Sequence, residues 1–332
     1  MDIILKISIL ILQSIHDNFF KFIILTRQRM KVICSSDESL YRPEVVRWRQ
    51  RMAMMQPLGD VVVALPCSMK KPYSNSQSHQ KFRRATKGYQ EVIVTSPFGI
   101  CPRELENTFP IQSYDVAVSG DWNDDEIRLA GELLRDYVGD KPVIANVDGG
   151  YEEVCREYLD NCTYVCDSGR PTSPQSIFNL REELKKYPKT KHRDRVLNEL
   201  RSVAKYQFGA EAEAMITDDV VSKGRYHRTV YSNGKTLALL NRDVGLYTLN
   251  LEGGRRLAEL GIHVVEIDFD LKTNSLFGPG IVNADSTILP KDEVVVVRDD
   301  EVVAVGKAVL TGKEMVESRN GIGVKIRHRK KN

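Results

Sequence analysis

The side chains best suited to chemistry lie between Pro66 and His79, in the sequence PCSMKKPYSNSQSH. Cys67 is a candidate nucleophile, because a cysteine thiolate attacks electrophilic centres. His79 is a candidate general acid or base, and the hydroxyl groups of Tyr73 and Ser76 could orient it. The segment therefore predicts nucleophilic catalysis by cysteine. In the alternative interpretation, Cys67 is a small buried apolar residue and His79 only forms structural hydrogen bonds.

Two predicted elements would position this segment. Residues 60–65 (DVVVAL) form a β-branched run that predicts a buried strand, and a helix is expected over about 76–86. Ligands of open α/β sheets bind at the carboxyl ends of the strands. Backbone amides at the start of the helix, together with Lys70 and Lys71, would stabilise an anion there and favour the Cys67 thiolate.

The first half of the chain alternates strands with helices. Residues 124–138 have apolar positions at helical spacing, and Asn123 is suited to cap that helix. Short apolar runs bounded by Pro or Gly predict further strands. They lie at 91–96, 114–120, 142–147 and 163–165, with a helix at 151–159 before the last of them. This alternation predicts an α/β core domain with a mostly parallel sheet, covered on both faces.

The rest of the chain predicts two smaller units. Residues 181–208 are charged and helical and indicate a connector plus the start of a second unit. Asn233-Gly234 indicates a hairpin within a small α+β module. Beyond it, short strands and Gly-rich turns indicate a C-terminal all-β barrel. The predicted boundaries are an N-terminal extension at 1–44, the α/β core at 45–188, the α+β module at 189–254 and the barrel at 255–332.

Composition excludes several classes of protein. The 332 residues are 42% hydrophobic and 28% charged, which is typical of globular domains. The apolar stretches 3–12 and 19–25 are too short for a membrane span, and no signal-peptide cleavage site follows them. We expect either an extra helix there or a start at Met30. Six cysteines do not form a disulfide framework, which favours a cytoplasmic protein with reduced thiols.

No metal or resident cofactor is predicted. Cys155, Cys162 and Cys166 lack CxxC spacing and have no histidine nearby, so we expect core or helix-face thiols. The sequence also has no GxGxxG, P-loop or GxSxG motif. The formal net charge of +3 is too small to indicate a nucleic-acid partner. Any such indication must come from local clusters of positive charge.

The reactive segment resembles the pattern of archaeosine synthases: Pro-Cys, three residues, Lys-Pro-Tyr, two residues, Ser, two residues, His. The fixed positions of that pattern are matched by Pro66, Cys67, Lys71, Pro72, Tyr73, Ser76 and His79. Residues 96–122 resemble the same core domain. The segments SLFGPGIVNADSTILPKDEVVVV and GVKIRHRKK resemble a PUA domain, an RNA-binding barrel. The stretch 190–255 is similar to the module that precedes PUA in archaeal tRNA-guanine transglycosylase relatives.

The resemblance implies tRNA modification in archaea. In this family, a transglycosylase first places 7-cyano-7-deazaguanine (preQ0) in the D-loop. Archaeosine synthase then adds an amine, thought to be the side-chain amine of free lysine, to the nitrile. A radical-SAM lyase cleaves the adduct and leaves the amidine of archaeosine. The implied partners are therefore tRNA, a separately encoded transglycosylase chain and the lyase, with free lysine as co-substrate.

Two mechanisms fit the resemblance. In the first, the Cys67 thiolate adds to the nitrile to give a thioimidate, His79 or Lys71 protonates the nitrogen, and the lysine amine displaces the thiol. In the second, the amine attacks directly and the motif only binds substrate. Asp121 and Asp148 each follow a predicted strand end and are candidates to deprotonate the amine. Both are equally suited to cap a helix or form a turn.

The sequence departs from the family in one respect. Family members usually carry a long transglycosylase-like region before the core, whereas here the motif already begins at Pro66. Base exchange by this chain is therefore not expected. The competing hypothesis is a non-catalytic tRNA-binding subunit that delivers substrate to a transglycosylase. The intact Cys-Lys-Tyr-Ser-His set favours the enzyme.

Predicted RNA contacts lie near the carboxyl end. The tail KIRHRKKN has five Lys/Arg and no acid, and each cation placed on a phosphate releases a counterion. The loop at 277–280 lets a backbone approach RNA closely through its glycines, although a tight turn would also need them. The candidate RNA-binding residues are Phe277, Gly278, Gly280, Lys325, Arg327, Arg329, Lys330 and Lys331. Arg83, Arg84 and Lys87 could guide RNA towards the site or form a solvated helix face.

Overall fold

The computed structural model describes residues 32–34, 37–115 and 121–330, and its first half is an α/β core. The strands of this core are β1 (Val32–Ile33), β2 (Val62–Pro66), β3 (Gln90–Thr95), β4 (Gly99–Pro102), β5 (Tyr114–Asp115), β6 (Val143–Ala145) and β7 (Cys162–Tyr164). The main sheet has the order β4-β3-β2-β6-β7. Neighbours pair in parallel except β4, which forms an antiparallel edge on β3. The predicted mostly parallel sheet is confirmed.

Helices cover both faces of this sheet. They are α1 (Pro43–Met52), α2 (Gln77–Ala85), α3 (Asp124–Val138), α4 (Gly149–Tyr158), α5 (Pro174–Leu184) and α6 (His192–Phe208). The central strand β2 is buried on both sides: Val62 and Ala64 belong to the core cluster of α1, α3 and α4. Val63 packs instead with Phe82 of α2 and Leu180 of α5. Among the described residues, no helix is long and apolar enough to span a membrane.

The structure differs from the sequence predictions at one strand of the core. The strand β5 pairs in parallel with β1 and does not join the main sheet, and residues 116–120 of the predicted strand lie outside the described residues.

The charged stretch 181–208 is helical, as predicted, and consists of the end of α5 and all of α6. Pro188 lies between the two helices, where it supplies no amide proton for a continuous helix.

The predicted helix cap before α3 is confirmed. Asn123 Oδ1 accepts a hydrogen bond from the Glu126 amide at 2.9 Å, and Glu126 Oε2 accepts one from the Asn123 amide at 3.0 Å. This reciprocal capping box satisfies two amides that the first turn leaves without helical partners.

The middle module is an antiparallel sheet with a helix. Its elements are β8 (Val221–Lys223), β9 (Arg228–Ser232), β10 (Lys235–Asn241), β11 (Leu246–Leu249) and α7 (Leu251–Glu259). The strand order is β11-β10-β9-β8. The expected hairpin is confirmed: Asn233 and Gly234, both at positive φ, connect β9 to β10.

The C-terminal unit is a curled half-barrel. Its elements are β12 (Val264–Glu266), β13 (Ser275–Phe277), β14 (Asn283–Ala284), β15 (Glu293–Arg298), β16 (Glu301–Ala308), α8 (Gly312–Glu317) and β17 (Ile322–Arg329). The sheet has the order β13-β17-β16-β15-β12-β14. The helix α8 lies against β14 and the turn after β13, next to the two edge strands. The expected all-β barrel therefore contains one short helix.

Close packing joins the half-barrel to the rest of the chain. A Cβ atom at Gly253 of α7 would lie 2.2 Å from the Leu237 carbonyl, and one at Gly254 would lie 2.5 Å from Val305 Cγ1. The buried Glu293 carboxylate accepts a hydrogen bond from the Leu249 amide at 3.0 Å. One hydrophobic core consequently runs from the α/β domain through the middle module to the barrel.

The contact between α3 and α4 provides a stability test. A Cβ atom at Gly131 would lie 2.2 Å from Tyr158 Cδ2, so Gly131→Ala must displace the Tyr158 ring. We expect the free energy of unfolding to fall by about 1–3 kcal/mol, despite the better helix propensity of Ala. Urea denaturation measures it. The control Glu132→Ala, on an exposed face of the same helix, should stay within about 0.5 kcal/mol of wild type. Equal stability of both variants would contradict the tight packing.

Candidate active site

A cavity of about 350 Å³ lies at the carboxyl end of β2. Several separate segments converge on it, as the topology of parallel strands predicts. Its lining residues are Pro66, Cys67, Ser78, Phe82, Asp121, Asp148, Gly149, Tyr151, Pro171 and Thr172. The structure thus brings Cys67 together with both aspartates that the sequence singled out.

The Cys67 thiol contacts a phenol that the sequence analysis missed. Its Sγ atom lies 3.1 Å from Oη of Tyr151, in the first turn of α4. The Tyr151 side chain is buried, and its ring packs edge-on against Trp122. Burial and, next, the nearby Cys67 raise the pKa of Tyr151. The phenol therefore keeps its proton and can donate a hydrogen bond to a thiolate.

Two helices begin at the cavity. The first turn of α2 contributes Ser78, and the first turn of α4 contributes Gly149. Free backbone amides and the helix dipole make such ends favourable for anions. Asp148 precedes α4 and forms no side-chain cap, and burial raises the pKa of its carboxyl group. A carboxyl group of this kind can accept a proton nearer neutral pH than an exposed aspartate can.

Lys71 lies behind the cavity. Its Nζ atom donates a hydrogen bond to the Ser68 carbonyl at 2.5 Å and sits 4.0 Å from the centre of the Tyr114 ring. Burial lowers the pKa of Lys71, and the neighbouring Cys67 acts in the opposite direction. When protonated, Lys71 would place a positive charge near Cys67 from beneath the loop.

Tyr73 anchors the same loop from the core. Its side chain is fully buried, and its Oη atom lies 2.7 Å from Oη of Tyr114. Thr95 completes this hydroxyl cluster. Burial raises the pKa of both tyrosines, so their phenols stay protonated. Tyr73 thus orients the loop and does not line the cavity.

Ser76 and His79 hold the start of α2. The Ser76 Oγ atom accepts a hydrogen bond from the His79 amide at 3.2 Å, which makes Ser76 the N-cap. The His79 ring is fully buried, and Nδ1 accepts a hydrogen bond from Arg103 at 2.8 Å. Burial and, next, Arg103 lower the pKa of His79 to about 2. The ring is therefore neutral at physiological pH.

Arg103 connects the loop to the sheet. Its guanidinium group forms ion pairs with Glu91 of β3 and with Glu106, at 2.5 and 2.9 Å. Glu106 in turn accepts a hydrogen bond from the Ser74 amide at 2.8 Å. Burial alone would lower the pKa of Arg103, but Glu91 and Glu106 raise it. A permanently charged group therefore lies beside the His79 ring.

The predicted catalytic set is thus divided into two layers. Cys67 lines the cavity, whereas Lys71, Tyr73, Ser76 and His79 support it from behind. Sequence reasoning missed Tyr151 and Arg103, which lie outside the motif. The predicted strand at 142–147 was a usable signal for Tyr151, because parallel strands direct the segments that follow them to the same sheet edge.

The predicted RNA loop has an exposed aromatic ring. Phe277 is 52% exposed, next to the turn formed by Gly278 and Gly280. A Cβ atom at Gly278 would lie 2.9 Å from the Ser318 carbonyl, and one at Gly280 would lie 2.7 Å from Phe269. The fold itself therefore favours glycine at 278, where backbone lies close, whereas at 280 only the exposed Phe269 ring would have to move.

The predicted cations of the tail differ in their surroundings. Arg327 is held by both carboxylate oxygens of the buried Glu293, at 2.5 and 2.7 Å. Arg329 donates a hydrogen bond to the Leu271 carbonyl, and Lys330 pairs with Glu301. Lys325 is exposed and forms no ion pair within the described chain, while Lys331 lies outside it. Lys325 is therefore the cation of this group most available to a phosphate.

Cations at the end of α2 and just beyond it form a second basic surface. Arg83 and Arg84 of α2 and the following Lys87 line a groove of about 740 Å³ together with His192 and Arg195 of α6. Because α2 begins at the Cys67 cavity, this groove lies on an element that the cavity shares.

Family comparisons divide the chain into three known domains. Residues 45–184 match a domain of unknown function (DUF5591). Residues 198–261 match the patch-forming domain C2 of tRNA-guanine transglycosylase, and residues 264–330 match the PUA domain. Together these domains define a protein of the tRNA-guanine transglycosylase-related class.

Relatives give the more particular identification. The archaeosine synthase of Haloferax volcanii is 37% identical over 323 residues, covering 91% of this chain and 55% of that protein. The archaeosine synthase subunit alpha of Methanosarcina acetivorans is 35% identical over 328 residues, covering 92% and 52%. Over about nine tenths of its length, the chain is similar to archaeosine synthases of several archaea. It spans about half the length of the curated relatives that it matches.

A solved structure supports the arrangement of the domains. The crystal structure of AF0587, a protein of unknown function, superposes with a TM-score of 0.70 at 27% identity. The match covers 86% of this chain and 100% of that one. The expected combination of an α/β core with a C-terminal PUA domain is confirmed.

The neutral His79 ring predicts how stability depends on pH. Its pKa is about 2 in the folded state but near 6.5 in the unfolded chain, so below that pH the unfolded state binds more protons. The contribution of His79 to the free energy of unfolding should therefore fall by about 1.4 kcal/mol per pH unit as the solution is acidified below pH 6.5. His79→Gln should remove this slope in urea denaturation, whereas the exposed control His192→Gln should keep it. An unchanged slope in His79→Gln would show that the buried ring ionises.

The contact between Tyr151 and Cys67 predicts thiol reactivity. Without the phenol donor, the Cys67 thiolate loses a hydrogen bond. Cys67 should therefore be alkylated about 3–30-fold more slowly in Tyr151→Phe at neutral pH. Iodoacetamide labelling followed by peptide mass spectrometry reports Cys67 separately from the other thiols. Tyr158→Phe, on the same helix, should react like wild type. Equal rates in the two variants would argue against an activating contact.

Proposed function

We propose that this chain adds an amine to the nitrile of preQ0 in tRNA, as a step in archaeosine formation. The observation that carries the proposal is the cavity in which the Cys67 thiol meets the Tyr151 phenol at the end of β2. A purely RNA-binding subunit has no need of a thiol placed in this way. The names of its relatives, archaeosine synthase and archaeosine synthase subunit alpha, support the same pathway.

In the proposed first step, the Cys67 thiolate attacks the nitrile carbon. A C–S bond forms, one C–N π bond breaks, and the nitrogen takes up a proton to give a thioimidate. Tyr151 is near enough to Sγ to assist, and the amides at the start of α4 favour the developing negative charge. In this proposal His79 positions α2 and does not transfer the proton, because its ring is buried and neutral.

In the proposed second step, an amine attacks the thioimidate carbon. A C–N bond forms, the C–S bond breaks and releases the Cys67 thiolate, and a substituted amidine remains. The attacking amine must first lose a proton, and Asp148, which lines the cavity and has a raised pKa, is suited to accept it. We propose free lysine as the amine donor from the family resemblance, with no resident cofactor. Lys71 supplies positive charge beneath the loop, and Tyr73 and Ser76 fix its shape.

The C-terminal domain would hold the tRNA. A PUA domain with the exposed Phe277 ring and the exposed Lys325 side chain offers stacking and phosphate contacts. A separately encoded transglycosylase chain and a radical-SAM lyase would act before and after this step. The name "subunit alpha" in a relative supports a partner chain.

Nucleoside mass spectrometry tests this function. We expect preQ0-containing tRNA, incubated with the protein and isotopically labelled lysine, to gain a labelled lysine adduct. Cys67→Ala should lower the rate at least ~10³-fold, because the attacking atom is removed. In the absence of lysine, wild type should accumulate a covalent protein–RNA species that reduces mobility on a denaturing gel.

Controls separate the two mechanisms. Cys166→Ser alters a half-buried thiol outside the cavity lining and should leave the rate unchanged. Retained turnover in Cys67→Ser would exclude the thioimidate and leave direct attack by the amine. Tight tRNA binding without any adduct, even after candidate partner chains are added, would instead favour the tRNA-binding subunit.

A further inference from the structure

A larger cavity shares no lining residue with the Cys67 cavity. It measures about 910 Å³ and lies where all three domains meet. The core contributes α1 and residues 109–113, the middle module contributes residues near β10, and the half-barrel contributes residues 289–292 and Lys307. Junctions between domains are frequent sites for small ligands, and this volume suits one. The catalytic proposal makes no use of it.

The rim of this junction cavity is rich in unpaired cations. Arg47 and Arg51 lie one turn apart on α1, and Lys291 and Lys307 approach from the half-barrel. Among the residues that the structure describes, none of these four side chains forms an ion pair within 4 Å. The carboxylate of Asp292, near both arginines, is occupied by the Leu289 amide at 2.9 Å. The four cations outnumber the three carboxylates of the same lining, Glu44, Asp243 and Asp292, and this excess of positive charge favours an anionic ligand.

The wall of the cavity contains an unsatisfied polar group. Gln112 is 4% exposed, and its Nε2 atom donates a hydrogen bond to the Asp243 carbonyl at 2.6 Å. Its Oε1 atom is buried and accepts no hydrogen bond from any described residue. An orphaned amide oxygen is costly unless a ligand or water satisfies it. A ligand that fits this cavity should therefore present an N–H or O–H donor to it.

An exposed aromatic ring completes the set. Tyr226 lines the cavity and is 52% exposed, while its hydroxyl group is fixed by Asp243 at 2.8 Å. The Arg242 guanidinium lies 5.5 Å from the ring centre. A ring held in this way offers a flat surface on which a base can stack.

We propose that the junction cavity binds a nucleotide, either free or as one unit of an RNA strand. The cations would receive its phosphate, Tyr226 would stack on the base, and Gln112 Oε1 would accept a hydrogen bond from a base N–H. No simpler ligand uses all three features: inorganic phosphate needs neither the ring nor the amide, and an apolar ligand needs no cations. The site lies apart from Cys67 and does not depend on the chemistry there.

Binding measurements on the full chain test this proposal. Each of the four nucleoside 5′-monophosphates, inorganic phosphate and tRNA is titrated against wild type and two double variants, Arg47→Ala/Arg51→Ala and Lys291→Ala/Lys307→Ala. The second pair is exposed and should fold normally even if loss of the partly buried Arg51 perturbs α1. Arg47→Lys/Arg51→Lys should restore part of the affinity, and Arg135→Ala, an exposed arginine outside the cavity, is the matched control. Ultraviolet cross-linking to RNA, followed by peptide mass spectrometry, shows whether the Tyr226 peptide contacts a base.

The outcomes distinguish the sources of the nucleotide. Monophosphate binding that weakens at least ~10-fold in both double variants supports a free nucleotide. No monophosphate binding, with ~10-fold weaker tRNA binding and a cross-link at Tyr226 in wild type, supports a nucleotide within RNA. Weaker tRNA binding without any cross-link in the cavity would overturn the proposal in favour of general electrostatic attraction, as would binding of all probes at wild-type strength in both variants. These binding measurements do not detect lysine addition, so they test the junction cavity independently of the catalytic proposal.

Discussion

The shape of the Cys67 loop depends on one partly buried guanidinium group, that of Arg103, and on its two buried carboxylate partners. Arg103 joins Glu91 on β3 to Glu106, which accepts a hydrogen bond from the Ser74 amide, and it donates a hydrogen bond to His79 on the following helix. Breaking a buried ion pair by removing one partner typically costs ~3–5 kcal/mol, because the remaining charge is left uncompensated. These ion pairs therefore hold the loop without occupying the Cys67 cavity, since none of their residues lines it.

This division between support and chemistry explains the residue types of the motif. His79 is sealed from solvent and cannot exchange protons with a ligand in the cavity, so its value lies in its shape and its acceptor nitrogen. Ser76 is used as a helix cap and Tyr73 as a buried hydroxyl anchor. In the proposed reaction, the chemistry is carried out by Cys67 and by groups from other segments, Tyr151 and Asp148, that reach the same strand edge. A precise pocket needs both layers, because a nucleophile that shifts by an ångström loses much of its advantage.

Local signals in the sequence predicted much of the fold. The β-branched run before Pro66, the Asn123 cap and the Asn233-Gly234 hairpin depend on neighbours in the chain, and each is found. Features that depend on tertiary contacts were not predictable. Tyr151 meets Cys67 across 84 positions, and no local pattern distinguishes it from other tyrosines. Likewise, the sequence gives no sign that Arg327 of the basic tail has a partner. In the structure, both carboxylate oxygens of Glu293, at the start of β15, accept hydrogen bonds from it.

The glycine pair of α7 has a consequence for substrate choice. Because Gly253 and Gly254 let this helix pack closely against both the middle sheet and the half-barrel, a movement of the barrel relative to the middle module would have to break this packing. This packing then sets the distance between Phe277 and Cys67. If the barrel grips one part of an RNA, only a nucleotide at the matching separation can enter the thiol cavity. Selection by length of this kind needs no reading of base sequence, and it would tolerate wide variation among RNAs that share one overall shape.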